Sequence, residues 1–188
     1  MRRGAKIAII IGALALIVFL LLVSPYNSLV NLDEQVSQAQ ANVQVVLQRR
    51  LDLIPNLVET VKGYASHERE TLEAVVKARQ QVMQAPSLDQ KLAANQELTS
   101  ALGRLMVVVE RYPDLKASEN FRALQDQLEG TENRISVART RYNDAVRVYN
   151  TEIRSLPTVF LARLLGYQAR QPFTAAPEAQ TAPKVNFK

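Results

Sequence analysis

The feature that most constrains this chain is a run of 17 residues, from Ile7 to Val23, in which no side chain is charged or forms hydrogen bonds. The run directly follows Arg2, Arg3 and Lys6. As a helix it reaches about 26 Å, slightly less than a hydrocarbon core of about 30 Å, and the uncharged residues that follow can lengthen it. The sequence therefore predicts a short transmembrane helix over residues 7–23, behind a basic N-terminus.

A cleaved signal peptide is the main alternative, because it too combines a basic start with an apolar run. Signal peptides usually carry about 7 to 15 apolar residues and a small-x-small cleavage site. Here the run is longer and ends in Leu-Leu-Val-Ser-Pro-Tyr, without Ala-x-Ala. These differences favour an uncleaved anchor.

The basic residues also predict an orientation. Lys and Arg beside a membrane helix prefer the cytoplasmic side, and after Lys6 the next basic residue is Arg49. We therefore expect a cytoplasmic N-terminus, with residues 24–188 outside the cytoplasm. Only three charges decide this, so the opposite orientation stays open.

Charge and composition exclude several classes of function. The chain has 23 basic and 18 acidic residues, and without Arg2, Arg3 and Lys6 the balance is 20 to 18. Such a balance does not predict nucleic-acid binding. The chain has no cysteine and one histidine, which rules out a disulfide, a thiol nucleophile and a cysteine-based metal site.

Apolar residues at three- and four-residue steps predict four helices after the anchor, over residues 27–62, 67–84, 87–111 and 118–154. Ser87 begins a capping box for the third of them. Short turns between long helices are typical of an antiparallel up-down arrangement. The predicted fold class is all-α, with an N-terminal transmembrane helix followed by an antiparallel up-down four-helix bundle with long helices. The first helix is close to a coiled-coil heptad over its first half.

Three positions in the first half of the chain decide how these helices connect. Pro55 removes the N–H that would bond the carbonyl of Leu51, so we expect a kink there and not necessarily an end. Gly63 suits a C-cap and Ser66 an N-cap, which favours chain reversal over a helix that runs straight through.

The predicted domains are residues 24–155 as the helical bundle, residues 156–170 as a short amphipathic helix, and residues 171–188 as a disordered tail rich in Pro, Ala, Thr and Gln. The amphipathic segment lies in the most basic part of the chain and suits the headgroup layer of anionic lipid. Packing across the open end of the bundle is the competing interpretation. The candidate lipid or partner contacts are Arg154, Phe160, Arg163, Leu164 and Arg170.

A polar stretch interrupts the last long helix of the predicted bundle. Its candidate contacts to a second protomer or a partner are Glu129, Gly130, Glu132 and Arg134. The alternative is that Gly130 permits close helix packing and the charges pair along their own helix.

Two Tyr-Asn pairs recur seven residues apart in the same helix, at Tyr142-Asn143 and Tyr149-Asn150. We expect the tyrosine rings to fill the core while their polar groups bond inside it. A ligand-binding role is the alternative.

No catalytic, cofactor-binding or metal-binding residue is predicted. His67 lies one helical turn from Glu70, but no second histidine exists to complete a site. Asp52 lies beside Arg49 and Arg50, and we expect it to form ion pairs with them instead of acting as a general acid or base. The prediction is that the protein is not an enzyme.

Several ordered sequence blocks carry a resemblance that extends to about Gly166. The blocks are Tyr26-Asn27, residues 49–57 (RRLDLIPNL), residues 64–68 (YASHE), residues 110–116 (ERYPDLK), residues 128–135 (LEGTENRI), Tyr142-Asn143 and Tyr149-Asn150. Together they resemble the LemA family of bacterial membrane proteins.

The resemblance implies a four-helix bundle on an N-terminal membrane helix, and it implies no catalytic residue. Members have been linked to envelope and membrane-associated roles, including organelle membrane formation in magnetic bacteria. The family is often described with its short N-terminus outside the cell, whereas the basic residues of this chain favour a cytoplasmic N-terminus.

The sequence thus predicts a single-pass protein of the bacterial inner (cytoplasmic) membrane that acts as a non-enzymatic scaffold. The expected partners are the lipid bilayer, further copies of the chain in a homo-oligomer, and other envelope proteins. An alternative is membrane shaping through oligomerisation and the basic C-terminal amphipathic helix.

Overall fold

The computed structural model describes residues 2–173 of the 188-residue chain, except the side chains of residues 2, 3, 5, 6, 15, 18 and 21. The predicted tail beyond residue 173 lies outside these residues. The elements are α1 (Arg2–Tyr64), α2 (Arg69–Gln84), α3 (Leu88–Val109), α4 (Pro113–Ala117), α5 (Glu119–Glu152) and α6 (Thr158–Leu165). The all-α prediction is confirmed. The up-down four-helix arrangement stays a prediction.

The apolar run and the first predicted bundle helix belong to one element, because α1 continues from Arg2 to Tyr64. The expected start of a separate helix at residue 27 is therefore wrong. Pro25 removes one backbone N–H, and losing one hydrogen bond does not end a helix whose other bonds persist. None of the helices in the described part of the chain is long and apolar enough to cross a membrane. Residues 7–23 are thus confirmed as helical but not as a membrane span.

The described chain divides into two compact units. One consists of residues 2–41 and 140–172, and the other consists of residues 42–139 together with Phe173. The first unit therefore holds the N-terminal part of α1, the C-terminal part of α5, and α6. The second holds the rest of α1 and α5 with α2, α3 and α4.

Pro55 does not end α1, and a side chain replaces the hydrogen bond that it removes. The carbonyl of Leu51, which Pro55 cannot bond, accepts a hydrogen bond from Nε of Arg79 at 2.9 Å. Arg79 lies in α2, so this bond also shows that the chain reverses between Tyr64 and Arg69. The predicted reversal is confirmed, but the predicted caps are wrong. Gly63 lies inside α1 without a positive φ, and the N-cap of α2 is Glu68 and not Ser66.

Local capping explains where α3 begins, and proline explains where α4 begins. The side chain of Ser87 accepts a hydrogen bond from the backbone N of Gln90 at 3.3 Å, as the capping-box pattern predicts. Pro113 is the first residue of α4, a position where a missing N–H costs nothing. The predicted helices over residues 87–111 and 118–154 did not include this short element.

The second unit contains a continuous apolar core. Buried side chains from α1, α2, α3, α4 and α5 pack in it, and its fully buried members include Ile54, Leu57, Val75, Leu98, Leu105 and Leu115. Burial of such a cluster is the main favourable term in the folding of a small helical unit.

Candidate functional site

The second unit holds a buried polar cluster centred on Arg50 of α1. Nη1 of Arg50 donates to Oδ1 of Asn95 in α3 at 2.9 Å and pairs with Oε2 of Glu132 in α5. The side chains of Arg50 and Asn95 are buried, whereas that of Glu132 is about half exposed. This cluster ties three helices together through a single guanidinium group.

Burial decides the electrostatics of Arg50. Desolvation lowers the pKa of Arg50 below its ordinary value, and the attraction and hydrogen bond of Glu132 partly offset this effect. The buried Nε has no hydrogen-bond partner among the described residues. Because a buried charge is costly unless it is paired, Glu132 is the group that makes this position tolerable.

The structure separates the four residues predicted as protomer or partner contacts. Glu132 is engaged with Arg50, and Glu129 accepts a hydrogen bond from Gln125 in its own helix at 3.1 Å. Gly130 and Arg134 line a surface pocket of about 230 Å³, together with Arg49, Asp126, Gln127 and Thr131. A contact of this surface with another protein stays a prediction.

In the first unit the two Tyr-Asn pairs of α5 bind the segment that follows α6. The rings of Tyr142 and Tyr149 are buried, as predicted. Their hydroxyls donate to the backbone carbonyls of Gln171 at 3.2 Å and Gln168 at 3.0 Å. The two tyrosines therefore bind the segment of residues 168–171, which we call the strap.

Arg170 is the best-held residue of the strap. Asn150 donates to its carbonyl at 2.7 Å and accepts from its backbone N at 2.9 Å, as a neighbouring β-strand would. Its guanidinium bonds Oδ1 of Asp33 at 3.0 Å, and this partner raises the pKa of Arg170. Arg170, predicted as a lipid contact, thus directs its charge to an acidic residue of α1.

The other candidate lipid contacts lie on or next to α6. Phe160, Arg163 and Leu164 are exposed on that helix, and Arg154 is exposed in the turn before it, with its Nε bonded to the carbonyl of Asn150. The sequence predictions included these residues. They did not include Asp33, Arg50 and Asn95, which form the polar contacts described above.

The carboxylate of Glu68 accepts hydrogen bonds from two residues that are distant in the sequence. Nη2 of Arg111 and the hydroxyl of Tyr112 both donate to its Oε1, at 2.9 and 3.0 Å. The hydrogen bond to Glu68 raises the pKa of Tyr112. Its neighbour His67 is exposed, and no group of three or more His, Asp or Glu side chains that could hold a metal occurs among the described residues.

Comparison with known proteins gives the family. The sequence model of the LemA family matches residues 39–187. This match covers most of the chain and includes the three polar clusters described above, around Arg50, the strap and Glu68, apart from Asp33.

Individual relatives agree with this match. Magnetosome protein MamQ 2 of Paramagnetospirillum magneticum is 29% identical over 199 residues, which cover 92% of this chain and 73% of the relative. Magnetosome protein MamQ of Magnetospirillum gryphiswaldense is 27% identical, covering 96% of this chain and 77% of the relative. Protein LemA of Metamycoplasma hominis is 25% identical over 143 residues, covering 74% and 64%. The chain is therefore a member of the LemA family.

Proposed function

We propose that this protein is a non-enzymatic scaffold of the bacterial inner membrane, which inserts its N-terminal segment into the bilayer and organises other proteins there. The observation that carries the proposal is the exposure of the N-terminal part of α1. Its large apolar side chains are more than half exposed at Ile7, Ile9, Ile10, Ile11, Leu14, Leu16, Ile17, Phe19 and Leu20. Exposed apolar surface of this extent is typical of a site that contacts a membrane or another protein.

Membership in the LemA family supports a membrane location, because the LemA family is one of bacterial membrane proteins. Some of the relatives are named as magnetosome proteins. In this proposal Arg2, Arg3 and Lys6 hold the N-terminus on the cytoplasmic side, and the chain beyond residue 23 lies outside the cytoplasm. Protease digestion of a C-terminal tag in spheroplasts tests the orientation. Digestion in intact spheroplasts supports it, and protection until the membrane is lysed contradicts it.

Self-association is the second part of the scaffold proposal. Glu129 and Arg134 are exposed near the surface pocket of α5, whereas Glu132 is used inside the unit by Arg50. We therefore assign the contact between protomers to the exposed members, Glu129 and Arg134, with Gly130 letting a partner approach closely.

Single cysteines test this contact because the natural chain has none. Arg134→Cys in native membranes should form disulfide-linked dimers on mild oxidation. Gln80→Cys, an exposed position on α2, is the matched control and should remain monomeric. Equal crosslinking of both variants, or of neither, contradicts the assigned contact.

Membrane shaping is the alternative function, and one observation favours it. Phe160 and Leu164 of α6 are exposed large apolar side chains in a basic segment. An oligomer with such helices at the bilayer surface would bend it. Electron microscopy of cells that overproduce the protein tests this alternative, which predicts altered membrane shape where a scaffold alone predicts none.

A further inference from the structure

Helix α6 buries small residues and exposes large apolar ones, whereas a surface helix normally does the opposite. Its buried residues are the small Thr158 and Ala162, one turn apart. Two of its large apolar residues point away from the protein, with Phe160 66% and Leu164 81% exposed. Leu156, just before the helix, is 76% exposed. A helix normally buries its large apolar side chains, so this exposure needs an explanation.

The exposure is fixed by the fold and is not the result of a loose segment. The hydroxyl of Thr158 donates to Oε1 of Glu152 at 2.8 Å, which ties the first turn of α6 to the end of α5. Gly166 ends the helix with a φ of 77°, a value that favours glycine, and the backbone N of Tyr167 bonds the carbonyl of Ala162. The strap follows. Both ends of α6 are therefore held, with Phe160 and Leu164 outward.

The surroundings of these apolar residues are basic. No acidic residue occurs in the sequence between Glu152 and Glu178. Arg154 and Arg163 are exposed, and within residues 2–173 no ion pair involves either of them. Arg170 differs, because Asp33 takes its charge. Two arginines thus flank the exposed apolar side chains.

From this arrangement we propose that Leu156, Phe160 and Leu164 insert into the headgroup layer of an anionic bilayer, with Arg154 and Arg163 contacting lipid phosphates. We call these five residues the α6 surface. Arginine forks bind phosphate, and apolar side chains in the interface gain from leaving water. The inference rests on the proposed membrane location and adds a second lipid contact to the N-terminal one.

A second copy of the chain is the competing occupant of the α6 surface. If two copies met there face to face, the arginines of one would approach those of the other. Like charges in such a contact are unfavourable, whereas an anionic bilayer neutralises them. The α6 surface also belongs to the same unit as the exposed apolar segment of α1. Charge therefore favours lipid over self-contact.

The chain contains no tryptophan, so a single Trp reports on one chosen position. The test uses the full chain carrying Phe160→Trp, reconstituted in vesicles of phosphatidylcholine with or without phosphatidylglycerol. Brominated lipids quench a tryptophan that enters the bilayer. Val107→Trp is the matched control, since Val107 is 73% exposed on α3 of the other unit.

We expect blue-shifted emission and bromolipid quenching for Phe160→Trp in phosphatidylglycerol vesicles, weaker effects in phosphatidylcholine alone, and none for Val107→Trp. Adding Arg154→Gln or Arg163→Gln should shift the docking equilibrium about fivefold each, from about 1 kcal/mol per basic residue at an anionic surface. Matching circular dichroism melts show that the variants remain folded.

Three results would overturn the inference. The first is an unquenched, water-exposed spectrum for Phe160→Trp in vesicles that do hold the protein. The second is shielding that depends on protein density without bromolipid quenching, which assigns the α6 surface to a second copy. The third is equal quenching at Phe160 and Val107. Failure of the protein to associate with vesicles at all would instead contradict the proposed function itself.

Discussion

Arg50 and Glu132 form an ion pair in which the arginine side chain is 4% exposed and the glutamate side chain is 45% exposed. The same guanidinium also bonds the buried Asn95. The charge of Arg50 is buried, and its charged partner Glu132 reaches it from the surface. The stability of the unit should therefore depend strongly on Glu132.

Glu132→Ala should therefore lower the free energy of unfolding of the full chain by about 2 to 3 kcal/mol, because it leaves a buried cation with only a neutral partner. Urea unfolding followed by circular dichroism measures this loss. The matched control is Glu97→Ala, which changes an exposed glutamate of α3 and should cost at most about 0.5 kcal/mol.

Arg50→Met should recover part of the loss when it is added to Glu132→Ala, since it removes the unpaired charge and leaves an apolar side chain in its place. Strictly additive costs for the two substitutions would show that the ion pair does not determine the stability of this region.

Substitutions of Arg79 and Pro55 should be energetically coupled, because both residues determine which donor bonds the carbonyl of Leu51. Arg79→Met leaves the carbonyl of Leu51 without its donor and should cost about 1 to 3 kcal/mol. In a Pro55→Ala background the restored N–H can bond that carbonyl, so the same substitution should cost clearly less. A double-mutant cycle measures the difference.

The exposed Arg104→Met, which also removes a surface arginine, serves as the control for this cycle and should be nearly neutral in both backgrounds. If Arg79→Met costs the same with and without Pro55, then Arg79 does not compensate for the proline.

The strap should depend on Asn150 more than on Asp33. Asn150→Ala removes two hydrogen bonds to the backbone of Arg170 and should abolish the hydrogen-exchange protection of the Arg170 amide. Asp33→Asn removes only a partly exposed ion pair, worth about 0 to 1 kcal/mol, and should leave most of that protection. The reverse order of effects would contradict the described geometry.

Alkaline pH should destabilise the first unit through Tyr149. Burial, followed by the nearby charge of Asp33, raises the pKa of Tyr149 above its ordinary value of 10.0. The unfolded chain then loses this proton first, so the stability contributed by the neutral tyrosine is full below pH 10 and falls as the pH rises through the folded pKa.

Tyr149→Phe tests this pH dependence. At neutral pH it should cost about 1 kcal/mol, because the carbonyl of Gln168 loses its donor. Above pH 10 its stability should fall less steeply than that of the natural chain, as measured by unfolding at a series of pH values. Parallel stability curves would show that Tyr149 does not titrate with folding.

Apolar periodicity predicted the helices well because burial in α1 follows a seven-residue step. Leu29, Val36, Val43 and Leu57 are all fully buried, and Arg50 takes the matching position between the last two. The signal that could have identified Arg50 was therefore in the sequence, as a charged residue in an apolar series. Its partners Asn95 and Glu132 could not be predicted, because they depend on how distant helices pack.

Local signals were reliable where one residue decides the backbone, as the Ser87 cap shows. They failed at two helix boundaries. The helix predicted to start at residue 27 continues without a break from the apolar run, and Pro113 begins a short helix between two of the predicted ones. For the candidate lipid contacts, composition identified the basic apolar segment. The outward direction of Phe160 and Leu164 required the structure, because the sequence alone left packing as the competing interpretation.

The central claim is that the N-terminal segment of α1 holds the protein in a membrane. Alkaline carbonate extraction of bacterial membranes tests it most directly, by comparing the full chain with the variant Leu14→Lys, Ile17→Lys. Both positions are exposed and apolar, and charges there oppose insertion. The account predicts that the natural chain stays in the membrane pellet and that the variant is released. A natural chain that is released by carbonate as completely as the variant would contradict it.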